Sequence, residues 1–171
     1  MAIIFEAVAT DEQRTLLAHV ADEIWHEYWP ALIGEAQTDY MVEQFQSLSA
    51  IERDIAEHAY EYWLLREDET NTLVGYTGGH VEPETNRFFI SKIYLYKDQR
   101  GKGYARCVVD FYNKLCLDRE LSALYLTVNK GNELGIRAYK GTGFEIIEAV
   151  ETPIGDGFIM DDYIMERPVH A

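Results

Sequence analysis

Two periodicities alternate along the chain. Ile3–Ala9 carries apolar residues at strand spacing, and Thr10-Asp11-Glu12-Gln13 follows as a capping box, a hydroxyl answered three positions later by Gln, with acids in the first turn. Beyond it Leu16, Leu17, Val20, Ala21, Ile24, Trp25 and Tyr28 recur at helical spacing. That pattern predicts an amphipathic helix broken at Pro30 and Gly34. A second helix is expected from about Glu35 to Gln46, with Tyr40, Met41 and Phe45 on one face. Ser49-Ala50-Ile51-Glu52 reads as another capping box that opens a short third helix.

After Ala59 the period falls to two. Tyr60–Arg66, Leu73–Val81 and Arg87–Tyr96 read as strands, with polar connections at Asp68–Asn71 and Glu82–Asn86. A helix is expected from about Gly103 to Arg119, burying Ala105, Val108, Val109, Tyr112, Leu115 and Cys116. Ala123–Val128 is a buried strand, and Glu133–Gly141 is a short helix ended by Gly141 and Gly143. Phe144–Glu151 and Phe158–Glu166 form a terminal hairpin around Pro153 and Gly155–Gly157. This order predicts one α/β domain over residues 1–171, built on a mixed sheet of about seven strands with four to five helices.

Charge narrows the function classes. The formal net charge is −15, which disfavours binding nucleic acid through its phosphates. An acidic surface suits a cationic substrate, and it also serves solubility alone. No apolar run is long enough to span a membrane. Met1-Ala2-Ile3-Ile4-Phe5-Glu6 has no basic start, so no secretory signal is expected. Cys107 and Cys116 fall on one predicted helix about 13 Å apart by rise, too far for a disulfide. Two unpaired thiols fit a reducing cytoplasm.

The candidate chemistry lies between Ser91 and Ala105. A strand ends, a polar turn follows, and a helix begins inside Arg100-Gly101-Lys102-Gly103-Tyr104-Ala105. Backbone N–H groups at a helix start form an anion site, and glycines let a phosphate approach the backbone. Arg100, Lys102 and Arg106 add positive charge. A tight turn with its cations in solvent would look the same. The spacing is that of neither a P-loop nor a dinucleotide-binding fingerprint.

This stretch resembles motif A of the GCN5-related N-acetyltransferase (GNAT) superfamily, Gln/Arg-x-x-Gly-x-Gly/Ala, with Arg100, Gly103 and Ala105 in the patterned places. Asn129 to Phe144 resembles the family's motif B region, matching at Asn132, Tyr139, Gly143 and Phe144, with Gly135 where alanine is usual. The resemblance implies a sheet splayed between its fourth and fifth strands, with acetyl-CoA in the gap. It further implies that backbone groups at Ile93, Tyr94 and Leu95 bind the pantetheine arm and polarise the thioester, and that the loop from Arg100 to Ala105 binds the pyrophosphate. Asn129 and Asn132 would contact CoA, or cap the helix. Tyr139 stands where the family carries the acid that protonates the leaving thiolate, and it is also a plausible core aromatic.

The base is not legible. Many family members place a glutamate on the fourth strand, and Phe88–Tyr96 holds no acid. His80 titrates near neutrality but equally suits an edge strand. His26, Glu27, Tyr28 and Trp29 end the first helix, where the resemblance implies an acceptor wall and Glu27 would draw a cationic amine. Asp161-Asp162 on a strand puts one carboxylate on each sheet face, and Asp161 is a candidate for the acceptor site. His19 and His26 share a helix face without a third ligand, so no metal is expected. The expected activity is acetyl transfer from acetyl-CoA to the primary amine of a small metabolite. Acetylation of a protein or peptide and a non-catalytic CoA sensor are the other readings, and the family often forms homodimers.

Overall fold

A computed structural model describes residues 2–171, and of Lys92 the backbone alone. The elements run β1 (Ile3–Ala7), α1 (Asp11–Tyr28), α2 (Pro30–Ile33), α3 (Glu35–Met41), a π-helical turn (Val42–Gln46) and α4 (Leu48–His58). Then come β2 (Glu61–Glu67), β3 (Leu73–Glu82), β4 (Arg87–Leu95), a 3-10 turn (Lys97–Gln99), α5 (Tyr104–Asp118), β5 (Ala123–Asn129), α6 (Glu133–Gly141), β6 (Glu145–Gly155) and β7 (Phe158–Pro168). The strands form one mixed seven-stranded sheet in the order β1-β2-β3-β4-β5-β7-β6. The fold is thus the α/β architecture that the alternation of periods predicts.

The chain groups into two compact units. The first holds Met1–His80 and Lys92–Cys107. Here α1 starts at the expected box, with Thr10 accepting from the Gln13 N–H and the Gln13 side chain returning to the Thr10 backbone. Its apolar stripe, Leu17, Val20, Ala21 and Ile24, packs with Ile51 of α4 and with Tyr62, Leu64 and Tyr76 of the sheet. Each large aliphatic side chain sealed in this way contributes about 1.5–3 kcal/mol.

Two local expectations change. Helix α4 is capped by Ser47, which accepts from Ala50 N, two residues before the predicted box at Ser49. The helix expected from Glu35 to Gln46 widens into a π turn at Val42, which turns the buried Gln46 side chain onto the Tyr76 hydroxyl at 2.9 Å.

The second unit holds Val81–Ser91 and Val108–Ala171. Strands β4 and β5 pair in parallel from Arg87↔Ala123 to Ile90↔Leu126. The next residues of β4, from Lys92, belong to the first unit. Strand β7 inserts beside β5 and leaves β6 at the sheet edge. Both terminal strands outrun their predicted limits, and Pro153 lies within β6, where an edge strand tolerates a missing N–H.

Candidate functional site

The first unit carries the loop that begins as β4 ends. Tyr96 N–H donates to Val74 O of β3 at 3.0 Å. Alternation then turns the backbone groups of Tyr94 toward β3 and those of Ile93 and Leu95 away from it. Leu95 O fits this geometry, because it accepts from Arg100 Nε and Nη2 at 3.2 and 3.1 Å. The N–H groups of Ile93 and Leu95 therefore sit on the side of β4 that a ligand beside this strand would meet.

Past the 3-10 turn, Gly101 and Gly103 adopt φ of 77° and 82°, the left-handed region that glycine enters without steric cost. A Cβ at either would meet nothing within 4 Å, so the space over this backbone is open. Helix α5 starts at Tyr104 and presents its positive end to the loop. The loop thus fits a pyrophosphate, through backbone amides and the helix dipole, with Lys102 and Arg106 exposed nearby in sequence. The Tyr104 ring turns inward and is 2% exposed.

Arg100 is placed differently from its reading as a free cation. Its guanidinium is anchored on Leu95 O and lies over the Tyr28 ring, 4.6 Å from the centroid. Two more contacts from α1 reach the same segment. The Glu27 carboxylate accepts from Lys97 N–H, and Glu23 Oε1 accepts from the Tyr96 hydroxyl at 2.8 Å. The last turns of α1 therefore hold the loop at Tyr96, Lys97 and Arg100. Glu27, expected to draw a cationic amine, has its carboxylate engaged by a backbone amide.

The aromatics ending α1 form a continuous group. Trp29 is buried and lies 5.0 Å from Tyr28 and 5.2 Å from Trp25, which meets Tyr94 edge-on at 5.3 Å. Trp25 Nε1 donates to the Tyr76 hydroxyl at 3.0 Å, and Tyr76 donates onward to Gln46. His26 bridges Asp22 and Asp39, with Nε2 2.6 Å from Asp39 Oδ1 and Nδ1 2.9 Å from Asp22 O. The Asp39 bond first, and the Asp22 carbonyl next, raise its pKa above the ordinary histidine value. His80 lies against Tyr60, ring centroids 4.9 Å apart.

The second unit carries the other predicted residues. Asn129 Oδ1 accepts from Gly131 N at 2.8 Å, closing the turn after β5. Asn132 caps α6 by accepting from Gly135 N at 3.0 Å. A Cβ at residue 135 would fall 2.5 Å from Asn132 Nδ2, which explains glycine where alanine is usual. Tyr139, in the last turn of α6, is half-buried and meets Phe144 edge-on at 5.8 Å. Burial pushes its phenol up to about 12, so it stays protonated at neutral pH.

The two aspartates of β7 part as strand alternation requires. Asp161 is half-exposed and ion-paired with Lys130 at 2.7 Å. Asp162 is 6% exposed, and burial first, then Asp161, push its carboxyl up to about 6. Asp161 is the candidate that the sequence offers for the acceptor site. The alternation pointed to two faces without saying which one the fold would cover.

Among the described residues, no three His, Cys, Asp or Glu side chains gather to hold a metal, and no helix is long and apolar enough to cross a membrane. Cys107 and Cys116 are not joined in a disulfide.

Comparison with known proteins adds identity to this geometry. The model of the acetyltransferase (GNAT) family matches residues 21–144. An uncharacterised N-acetyltransferase of Bacillus subtilis, YycN, is 24% identical over 152 residues, covering 88% of this chain and 97% of that protein. The PaiA N-acetyltransferase of Thermoplasma acidophilum, solved with coenzyme A, superposes with a TM-score of 0.78 at 19% identity, covering 98% of this chain and 99% of that one. A spermidine N-acetyltransferase of Vibrio cholerae, solved with CoA and spermine, gives a TM-score of 0.68 at 15% identity, covering 98% and 95%.

Proposed function

The chain belongs to the GNAT acetyltransferase family, enzymes that use acetyl-CoA to acetylate amines, and from that premise we propose that it acetylates the primary amine of a small metabolite by direct attack. The observation that carries the cofactor half is the loop itself. Two left-handed glycines lie under open space at the start of α5, preceded by β4 amides at Ile93 and Leu95 that face away from β3. The pyrophosphate would lie on the backbone of Gly101 to Ala105, with Lys102 screening its charge. The pantetheine arm would follow Ile93–Leu95. Asn129 and Asn132 act by shaping the turn and capping α6.

Acetyl-CoA supplies the activated acyl group. The chain's part is to orient it, to aim a backbone N–H at the carbonyl oxygen as negative charge develops, and to manage two protons. Tyr139 is assigned the proton that reaches the leaving sulfur. The acceptor wall is assigned to Tyr28 and Trp29 of the first unit, and Asp161 of the second is already paired with Lys130. His26 and Glu27 act as the wall's framework, because Asp39 holds the first and Lys97 N–H the second. His80 is left without a proton-transfer role in this scheme.

The net charge of −15 favours a cationic acceptor, and the polyamine substrates named for structurally similar proteins are of that type. A cytoplasmic location fits two cysteines outside any disulfide. Residues 1–171 act as one domain, and a homodimer through the β6 edge, where Ile147 is 51% exposed, is the assembly to look for by sedimentation. Thiol release with acetyl-CoA and a panel of polyamines and monoamines tests the activity. Turnover with small amines, and its loss by about 100-fold in Tyr139→Phe, is expected. Unaltered turnover in Tyr139→Phe would remove the acid assignment.

A further inference from the structure

We propose that Glu27 is a positioning residue for acetyl-CoA, and that through it the acceptor wall at the end of α1 and the pyrophosphate loop respond to each other's ligands. The coupling half of this inference rests on the amine-acetylating function above; the acetyl-CoA half stands without an amine.

Everything this requires lies in the first unit. Glu23 and Glu27 stand four positions apart on α1 and so share a face. That face meets the segment leading from β4 into the loop, where the Tyr96 hydroxyl donates to Glu23 Oε1 at 2.8 Å and Lys97 N–H donates to Glu27 Oε1. Lys97 opens the 3-10 turn Lys97–Gln99, whose own N-cap, Tyr96, makes no side-chain bond to the turn. The first N–H groups of such a turn need acceptors from elsewhere. Glu27 supplies one from 70 residues away, doing across the fold what an aspartate or serine does at the N-cap of a longer helix. Arg100 ends the same turn and lies over Tyr28, the residue after Glu27. Directly beyond it come the left-handed glycines, Gly101 and Gly103.

The rest of this helical stretch serves the acceptor side. Trp25 and Trp29 enter the aromatic group, and His26 Nε2 meets Asp39 of α3 at 2.6 Å. One short piece of α1 therefore carries the acceptor wall on some positions and the cap of the loop's lead-in turn on another. The end of a helix has no following turn of its own to hold it, and Pro30 comes directly after Trp29. A ligand that fixes this piece spares the second ligand that part of the ordering cost. The effect is reciprocal by linkage, so an amine against Tyr28 and Trp29 tightens acetyl-CoA by the factor by which acetyl-CoA tightens the amine. The Glu27 carboxylate is spent on a backbone amide in this scheme, and its role is to place the loop rather than to draw the ammonium.

The test is calorimetric titration of acetyl-CoA into the wild-type protein, Glu27→Ala, Glu27→Leu and Glu27→Gln, followed by titration of CoA, which has no acetyl group to transfer, with and without saturating spermidine. Glu27→Ala should bind acetyl-CoA about 5-fold more weakly, while Glu27→Gln, whose amide oxygen still accepts from Lys97 N–H, should lose about two-fold at most. Glu27→Leu keeps an apolar stem and accepts nothing, so it should match the alanine variant, and it carries the test if that variant fails to fold. Spermidine should tighten CoA about 5-fold in the wild type, and that ratio should fall toward one in Glu27→Ala and survive in Glu27→Gln. Unchanged acetyl-CoA affinity in Glu27→Ala and Glu27→Leu overturns the positioning role. So does a Glu27→Gln variant that keeps its acetyl-CoA affinity but has a higher KM for the amine, because the carboxylate would then meet the ammonium itself. A ratio of one in a wild-type protein that acetylates spermidine overturns the coupling and leaves the amine acetylation standing. A wild-type protein that turns over no amine overturns the amine reading and the coupling with it, and the acetyl-CoA affinities of the variants then decide the role of Glu27 by themselves.

Discussion

Arg100 separates two ways of holding a pyrophosphate. Its fork is anchored on Leu95 O through Nε and Nη2 and covered by the Tyr28 ring at 4.6 Å. Both N–H groups meet a single acceptor, so they amount to one charge-assisted bond, worth about 1.5–3 kcal/mol. The ring adds about 0.5–1 kcal/mol. The side chain is partly exposed, and the low end of both ranges gives about 2 kcal/mol for holding the loop in shape. If acetyl-CoA must restore that shape on binding, losing it weakens affinity roughly 30-fold. Lysine keeps the charge but not the planar fork, so Arg100→Lys and Arg100→Ala should fall by similar factors. Tyr28→Leu removes the ring alone and should cost roughly two- to five-fold. Calorimetric titration with acetyl-CoA at two salt concentrations reads all three, and the salt dependence should match the wild type. Full affinity in Arg100→Lys, or a flattened salt dependence in Arg100→Ala, would mean that the charge meets phosphate directly and that the brace is wrong.

Three further changes test other parts of the structure. The Asp162 carboxyl titrates near 6 in the folded chain against 3.8 as reference. Its contribution to stability is therefore full below about 3.8 and is lost as pH rises through about 6. Asp162→Asn should stabilise the fold at pH 8 by less than about 3 kcal/mol, seen as a higher melting temperature, and change little near pH 4. Gly135→Ala adds about 1 kcal/mol of helix propensity but displaces the Asn132 cap, worth about the same, so it should be near neutral alone and stabilising in an Asn132→Ala background. Denaturant melts of that double-mutant cycle check it, and additivity would contradict it. The raised pKa of His26 means that its bridge to Asp39 stabilises fully below about 6.5 and fades as pH climbs through the higher folded value. The site is partly exposed, so His26→Ala should cost no more than about 1 kcal/mol at pH 6 and less at pH 9.

What the sequence made legible was local. The Thr10 box, the apolar stripe of α1 and the Asn132 cap are interactions among residues a few positions apart, and each forms as read. The glycine loop was legible too, because a left-handed turn before a helix constrains composition directly. What escaped depends on partners far along the chain. Glu27 resembled a free acid until Lys97 N–H, 70 residues on, was brought to it. Arg100 resembled a phosphate ligand until Tyr28 and Leu95 O claimed its fork. Which of Asp161 and Asp162 is buried turns on which face of β7 is covered, and strand alternation is silent about that. The shift of the α4 cap to Ser47 follows from the π turn at Val42–Gln46, which no periodicity argument anticipates.

The most direct measurement is product analysis by mass spectrometry of a single reaction holding acetyl-CoA, a mixture of small mono- and polyamines, and peptides with free N-termini and lysines. Acetylation confined to the small amines, with the acetyl group on a primary nitrogen, is the predicted result. Acetylated peptides with untouched small amines, or bound acetyl-CoA with no acetylated product at all, would contradict it.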